Sequence, residues 1–309
     1  MIGTLTTKSW HDIFFTSQDG LRLYARHYPA PGSRRRPVLC LPGLTRNSRD
    51  FHTLASYMSD PQNPQARDVL TLDYRGHGRS QWDTSWRNYA LQTDMQDALD
   101  LLTIAGMHDV AVIGTSRGGL IAMMLGCLKP AAIGAVVLND IGPVLEREGL
   151  VRIVAYVGRV PLPATWDEAS ALVRDMNARS FPSIPEQHWP DIARQWFNDD
   201  HGRPTAGYDP QLGKAISLID GPLPSLWPQF QALARLPVMV VRGEHSDLLS
   251  PATLSDMRLR HPDLVPLTVR GQGHAPLLRD RSTVIAIAEF LGRADRVAER
   301  APDRRRLIA

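Results

Sequence analysis

A serine hydroxyl attacks a carbonyl at neutral pH when a base takes its proton and a carboxylate fixes that base's tautomer. This chain has candidates for all three roles. Ser116 lies in Gly114-Thr115-Ser116-Arg117-Gly118-Gly119, Asp247 follows in Gly243-Glu244-His245-Ser246-Asp247, and His274 comes last in Gly271-Gln272-Gly273-His274-Ala275-Pro276. Serine, acid, histidine is the chain order of one known triad solution. Among the 10 histidines, His274 alone stands between a glycine and Ala-Pro in a loop directly after an apolar run; His77 and His245 are the rivals. For the acid, Asp247 is preferred over Asp140, which precedes Ile141-Gly142-Pro143 and suits a cap or hinge, and over Glu244. The oxyanion of an acyl transfer needs two N–H donors. The N–H groups of Arg117, directly after the nucleophile, and of Leu44, after Pro42-Gly43, are the candidates.

These residues need elements that bring them to one place. Val110-Ala111-Val112-Ile113 is short and β-branched and reads as a buried strand, while Leu120 to Leu128 is an apolar run of helix formers. Ser116 therefore sits on a strand–turn–helix elbow, where Gly114 and Gly118 give room for a strained turn. Further strands are expected at 38–41, 69–73, 134–139, 237–243 and 264–269, with helices at 48–59, 89–106, from 251 and at 282–291. A hairpin is expected over 12–28 about Asp19-Gly20. Alternation of strands and helices predicts an α/β protein with a mostly parallel sheet and helices on both faces, its site at the carboxyl ends of the strands. Between 144 and 227 the pattern breaks into short helical pieces with no convincing strand, carrying Tyr156, Trp166, Phe181, Trp189, Trp196, Phe197, Tyr208 and Trp227. We expect an inserted helical cap over 144–227 on a core of 1–143 and 228–309. Most of these aromatics should form the cap's own core, and a few should face the cleft.

The 309 residues suffice for one large domain with an insertion. Apolar residues at 43% and charged at 22% are ordinary for a globular chain, and the net charge of +3 identifies no partner. Arg34-Arg35-Arg36 and Arg304-Arg305-Arg306 lack interleaved aromatics, so they read as a solvated loop and tail rather than a nucleic-acid surface. From Gly292 onward the charged end is expected to fray. Cys40 and Cys127 lie in apolar segments and are expected to be reduced. The start MIGTLTTKSWHDIFF shows no leader pattern and no stretch is long enough to span a bilayer, which makes the cytoplasm the expected location. Neither a metal nor an organic cofactor is expected.

The chain resembles the α/β-hydrolase fold family, in its cap-bearing serine-hydrolase branch, over about Phe14 to Leu291. Five motifs carry the resemblance: Leu41-Pro42-Gly43-Leu44, Asp73-Tyr74-Arg75-Gly76-His77-Gly78-Arg79-Ser80, the run from Gly114 to Gly119, Gly243 to Asp247, and Gly273-His274. The resemblance implies an esterase-like enzyme using Ser116, His274 and Asp247, acting on small to medium acyl compounds. The same frame also serves lactonases and carbon–carbon bond hydrolases, and a receptor without turnover is the rival from another class. Relatives that open epoxides or remove halides use an aspartate nucleophile, so Ser116 weighs against those reactions. Two departures from the family pattern stand out: Pro42-Gly43 replaces a His-Gly pair, and Arg117 replaces an apolar or amide residue. Arg117 is expected to pair with an acid of the scaffold or cap; the alternative is that it, or Arg46, meets a substrate carboxylate.

Overall fold

The computed structural model describes residues 9–300 apart from 217–223; the side chains of 297–300 are not included. The N-terminal pattern before Ser9 and the Arg304-Arg305-Arg306 cluster lie outside the described residues.

The strands are β1 (His11–Thr16), β2 (Arg22–Tyr28), β3 (Val38–Leu41), β4 (Val69–Asp73), β5 (Val110–Thr115), β6 (Ile133–Asn139), β7 (Asn198–Asp200), β8 (Arg203–Thr205), β9 (Val238–Gly243) and β10 (Val265–Val269). The α-helices are α1 (His52–Ser59), α2 (Leu91–Ile104), α3 (Arg117–Leu128), α4 (Arg147–Tyr156), α5 (Trp166–Asn177), α6 (Trp189–Trp196), α7 (Leu212–Ala215), α8 (Trp227–Gln231), α9 (Pro251–Arg260) and α10 (Arg281–Arg300). Eight strands form one sheet in the order β1-β2-β4-β3-β5-β6-β9-β10, and β7 and β8 form a separate hairpin. β1–β2 and β2–β4 pair antiparallel, and every other pair of the large sheet is parallel.

The parallel strands are buried on both faces, which explains why they read as continuous apolar runs rather than alternating ones. Val110 and Val112 of β5 and Val136 and Leu138 of β6 join the core under α2 and α3. Their neighbours Ala111, Ile113, Ala135 and Val137 join the opposite core, under α1 and α10. Each buried valine or leucine contributes about 1.5–3 kcal/mol relative to exposure. β3 pairs with β4 on one side and β5 on the other, so the chain direction across the sheet reverses there. The loops after β3 and β5 open a crevice at that reversal, the usual place for a ligand in such sheets.

The structure departs from the sequence reading in three places. The expected strandless stretch contains the short hairpin of β7 and β8, held by three residue pairs. The C-terminal helix does not stop near Leu291 but runs to Arg300. Its charged residues are not all solvated: Asp295 is 7% exposed and ion-pairs Arg67 at 3.0 Å and Arg35 at 3.4 Å. The same contacts correct the solvated-loop reading of Arg34-Arg35-Arg36, since Arg36 also reaches Asp109 at 3.1 Å. Both cysteine thiols are free, Cys40 buried and Cys127 exposed on α3.

Among the described residues, no helix is long and apolar enough to cross a membrane.

Candidate active site

Ser116 stands between β5 and α3 with φ +49° and ψ −110°, a backbone conformation rare for a residue with a side chain. The turn that imposes it depends on two close approaches. A Cβ on Gly118 would lie 2.1 Å from the carbonyl oxygen of Leu41, and one on Gly114 would lie 2.4 Å from the backbone of Gly118. Only glycine lets the first turn of α3 settle against the ends of β3 and β5 in this way. The Ser116 N–H donates to the carbonyl of Asn139 at 3.0 Å, anchoring the elbow to β6.

His274 brings the separate strand ends together. Its Nε2 lies 3.0 Å from Ser116 Oγ and its Nδ1 lies 2.9 Å from Asp140 Oδ2. The imidazole is 8% exposed and the Asp140 side chain is fully buried. Asp140 follows β6 with φ +57°, its N–H donates to the Val241 carbonyl at 2.7 Å, and its Oδ1 accepts the Gly243 N–H at 2.8 Å. One carboxylate oxygen is thus held by the scaffold and the other faces the histidine.

The acid on His274 is therefore Asp140, and the expectation that Asp247 fills this place is corrected. The Asp247 carboxylate is turned to helix α4, where Arg152 Nε donates to Oδ2 at 2.5 Å and Nη2 donates to Oδ1 at 2.9 Å. Half-burial works to raise the Asp247 carboxyl, but the Arg152 hydrogen bonds and charge hold it below the usual carboxylate range. The Gly149 N–H also donates to the Asp247 carbonyl at 3.1 Å, and a Cβ on Gly149 would lie 2.6 Å from that oxygen, so α4 is seated directly on this loop. Glu244 accepts the Gly271 N–H at 2.7 Å and is about half exposed, and His245 beside it is also exposed.

The Leu44 and Arg117 N–H groups have no hydrogen-bond partner among the described residues. Gly43 lies next to the elbow, since a Cβ there would come within 3.9 Å of the Ser116 Cβ. The arginine side chains are committed elsewhere. Arg117 Nε and Nη2 reach Asp94 Oδ2 at 2.7 and 2.6 Å, and Nη2 also donates to the Tyr89 carbonyl at 3.2 Å. Its partner thus belongs to α2 of the scaffold. Arg46 donates from Nε and Nη2 to Asp50 at 2.7 and 2.5 Å and stacks over the Trp196 ring at 4.2 Å. Its Nη1 is buried without a hydrogen-bond partner, sealed against that wall.

Two positioning residues escaped the sequence reading. His77, set aside as a loop histidine, is 2% exposed. Its ring nitrogens lie 2.6 Å from the Leu44 carbonyl and 2.8 Å from the Arg75 carbonyl, fixing the peptide next to the Leu44 N–H. Asn139 Nδ2 donates to Thr115 Oγ1 at 3.0 Å and to the Pro276 carbonyl at 2.9 Å, tying the serine turn to the histidine loop. The glycines around His77 signalled a special loop, but nothing in the local sequence of Asn139 marks it.

A cavity of about 360 Å³ adjoins Ser116 and His274. Its walls come from the core through Leu44, Phe51 and Leu277 and from the segment between β6 and β9 through Ile153, Phe181 and Trp189. Of the aromatics expected in this segment, Tyr156, Phe181, Trp189 and Trp196 reach the cavity, and Phe181, Trp189 and Phe197 share a small separate core. Tyr208 and Trp227 pack instead on the main core. Burial raises the Tyr156 phenol above its ordinary range, keeping it a neutral donor. No group of three or more His, Cys, Asp or Glu side chains suited to a metal occurs among the described residues.

Residues 38–287 match the model of the alpha/beta hydrolase family. The chain belongs to that family. This hydrolase is 32% identical over 288 residues to a 3-hydroxybutyrate-oligomer hydrolase of Cupriavidus necator, covering 89% of this chain and 94% of the relative. It is 27% identical to the 2-(acetamidomethylene)succinate hydrolase of Mesorhizobium japonicum over 77% of this chain and 81% of that one. Among solved structures, an alpha/beta hydrolase from Novosphingobium aromaticivorans superposes with a TM-score of 0.85 at 36% identity, covering 93% of this chain and 99% of that one.

Proposed function

We propose that this hydrolase cleaves carboxylic esters of small to medium acyl compounds through an acyl-enzyme on Ser116. The observation that carries the reading is His274 standing between Ser116 Oγ at 3.0 Å and Asp140 Oδ2 at 2.9 Å. In the first step His274 Nε2 takes the serine proton as Oγ bonds to the carbonyl carbon, and the Leu44 and Arg117 N–H groups receive the oxyanion. Asp140 holds the proton on Nδ1 and stabilises the imidazolium. The tetrahedral intermediate collapses with loss of the alcohol, which takes the proton from Nε2. Water, activated by the same nitrogen, then attacks the acyl-enzyme, and the acid leaves with Ser116 restored. We read the insert of 144–227 as a cap whose α4, α5 and α6 roof the cavity, exclude bulk water and select the acyl chain.

One observation favours esters: the relative from Cupriavidus necator acts on oligomers of 3-hydroxybutyrate, whose units are joined by ester bonds. Arg117 and Arg46, offered by the sequence as partners of a substrate carboxylate, are held by Asp94 and Asp50. The test is turnover of p-nitrophenyl esters of graded chain length beside acidic diketones. Short and medium esters should be cleaved, and Ser116→Ala should lower kcat at least about 10³-fold. Turnover of the diketones alone, or unchanged hydrolysis by Ser116→Ala, overturns the reading.

A further inference from the structure

Three arginines stand around the candidate active site, and of these only Arg152 has an exposed edge without a partner among the described residues, the unpartnered Nη1 of Arg46 being buried. Arg117 is 11% exposed with its donors on Asp94 and the Tyr89 carbonyl. Arg46 is 12% exposed, clamped by Asp50 and stacked on Trp196. Arg152 lines the cavity from α4 and keeps 40% of its side chain exposed. A guanidinium carries five N–H donors in a planar fork. Asp247 takes one from Nε and one from Nη2. One hydrogen of Nη1 and the second of Nη2 lie along the end of the fork without a partner among the described residues, the geometry that accepts a carboxylate through two parallel hydrogen bonds. The Asp247 hydrogen bonds and charge raise the proton affinity of Arg152, against the effect of burial, and the Asp140 carboxylate adds to it.

We propose that the open edge of Arg152 binds a free carboxylate on the substrate, so that the preferred esters are those of hydroxy acids ending in a carboxylate. This rests on the ester reading of the same site. Asp247 has a distinct part in it. Gripping the Nε side of the fork, it balances the cation while the cavity is empty and fixes the direction of the open edge, so little side-chain freedom is lost on binding. The surrounding wall is largely apolar, with Ile153, Phe181 and Leu277 on it, which strengthens a charge-assisted contact relative to one in bulk water.

The experiment compares the linear dimer of 3-hydroxybutyrate as its free acid with the terminal carboxamide of that dimer, which removes the charge at nearly the same size and adds no second ester. In the wild type kcat/KM should favour the acid, chiefly through KM. Arg152→Gln should lower kcat/KM for the acid by about 10- to 100-fold, the range for a hydrogen bond to a charged group, and leave the capped dimer within about threefold. Arg152→Lys should restore part of the loss. Binding of the two dimers to Ser116→Ala protein by calorimetry reads the same preference without turnover. Tighter binding of the acid there supports the carboxylate site even if the wild type cleaves no ester, an outcome that defeats the ester reading alone. Equal binding of acid and capped dimer, or equal loss on both in Arg152→Gln, overturns the proposal. If Arg152→Gln fails to fold, butyrate and butyramide are compared as wild-type ligands: binding of butyrate only supports the site, and equal binding overturns it.

Discussion

The floor and the roof of this cavity are built from the same kinds of residue and differ in burial. On the floor, Asp140 is fully buried against His274, and Arg117 is 11% exposed against an Asp94 that is 2% exposed. On the roof side, Arg152 and Asp247 form an equally well-directed pair with 40% and 24% of their side chains exposed. A buried pair cannot be broken without leaving a charge in apolar surroundings, so it fixes geometry. A half-exposed pair can be rehydrated or exchange partners at small free-energy cost. The two pairs should therefore differ in how firmly each holds its geometry.

The sharpest way to break this comparison is at the two aspartates. Asp140→Asn should lower kcat on a p-nitrophenyl ester by about 10⁴-fold, as expected when the histidine is left in the wrong tautomer. Asp247→Asn should stay within about tenfold on the same substrate, because its carboxylate meets Arg152 and not the imidazole. A larger loss at Asp247 would reverse the assignment of floor and roof. The arginines test the energetics. Arg117→Ala leaves Asp94 buried without its cation and should destabilise the fold by about 3–5 kcal/mol in urea unfolding. Arg152→Ala, whose pair is partly solvated, should change stability by less than about 1 kcal/mol. Equal effects would mean that burial does not separate the two pairs.

The smallest effect is expected at Asp19, a half-exposed carboxylate outside the cavity lining that pairs with the buried Arg75. The Arg75 hydrogen bond, helped by Ser17, holds the Asp19 carboxyl down at about 2, and that side chain is 48% exposed. A carboxyl whose pKa is lower folded than unfolded adds stability above its unfolded pKa, and that stability disappears as pH falls through the folded value. The Asp19 contribution should therefore be complete above about pH 4 and fade toward pH 2, and with solvent screening it stays below about 1 kcal/mol. Asp19→Asn should flatten this part of the acid unfolding curve while changing activity little.

Most of the fold was legible because its signals are local. The β-branched run ending in Gly114-Thr115-Ser116 and the helix formers after it required an elbow, and the carboxyl ends of parallel strands had to hold the chemistry. The helix end near Gly292 was misread because Arg35 and Arg67 reach Asp295 from distant loops, and no local pattern shows an ion pair made across the fold. β7 and β8 were missed for a related reason: strands of three residues leave almost no periodic trace.

The sequence by itself singled out Ser116 and His274, the pair that the structure brings to 3.0 Å. Ser116 is marked by the glycines that make room for its turn, and His274 by the glycine before it and the Ala-Pro after it. It also narrowed the acid to a few residues at strand ends, with Asp247 ahead of Asp140. Only the tertiary structure decided between those two, because both follow strands that are neighbours in the sheet. The direction in which each carboxylate points is set by the backbone turn after its own strand and by partners far away in sequence. For Asp140 those are a left-handed φ and the Gly243 N–H, which leave one oxygen for His274. For Asp247 it is Arg152, delivered by a helix seated on its loop.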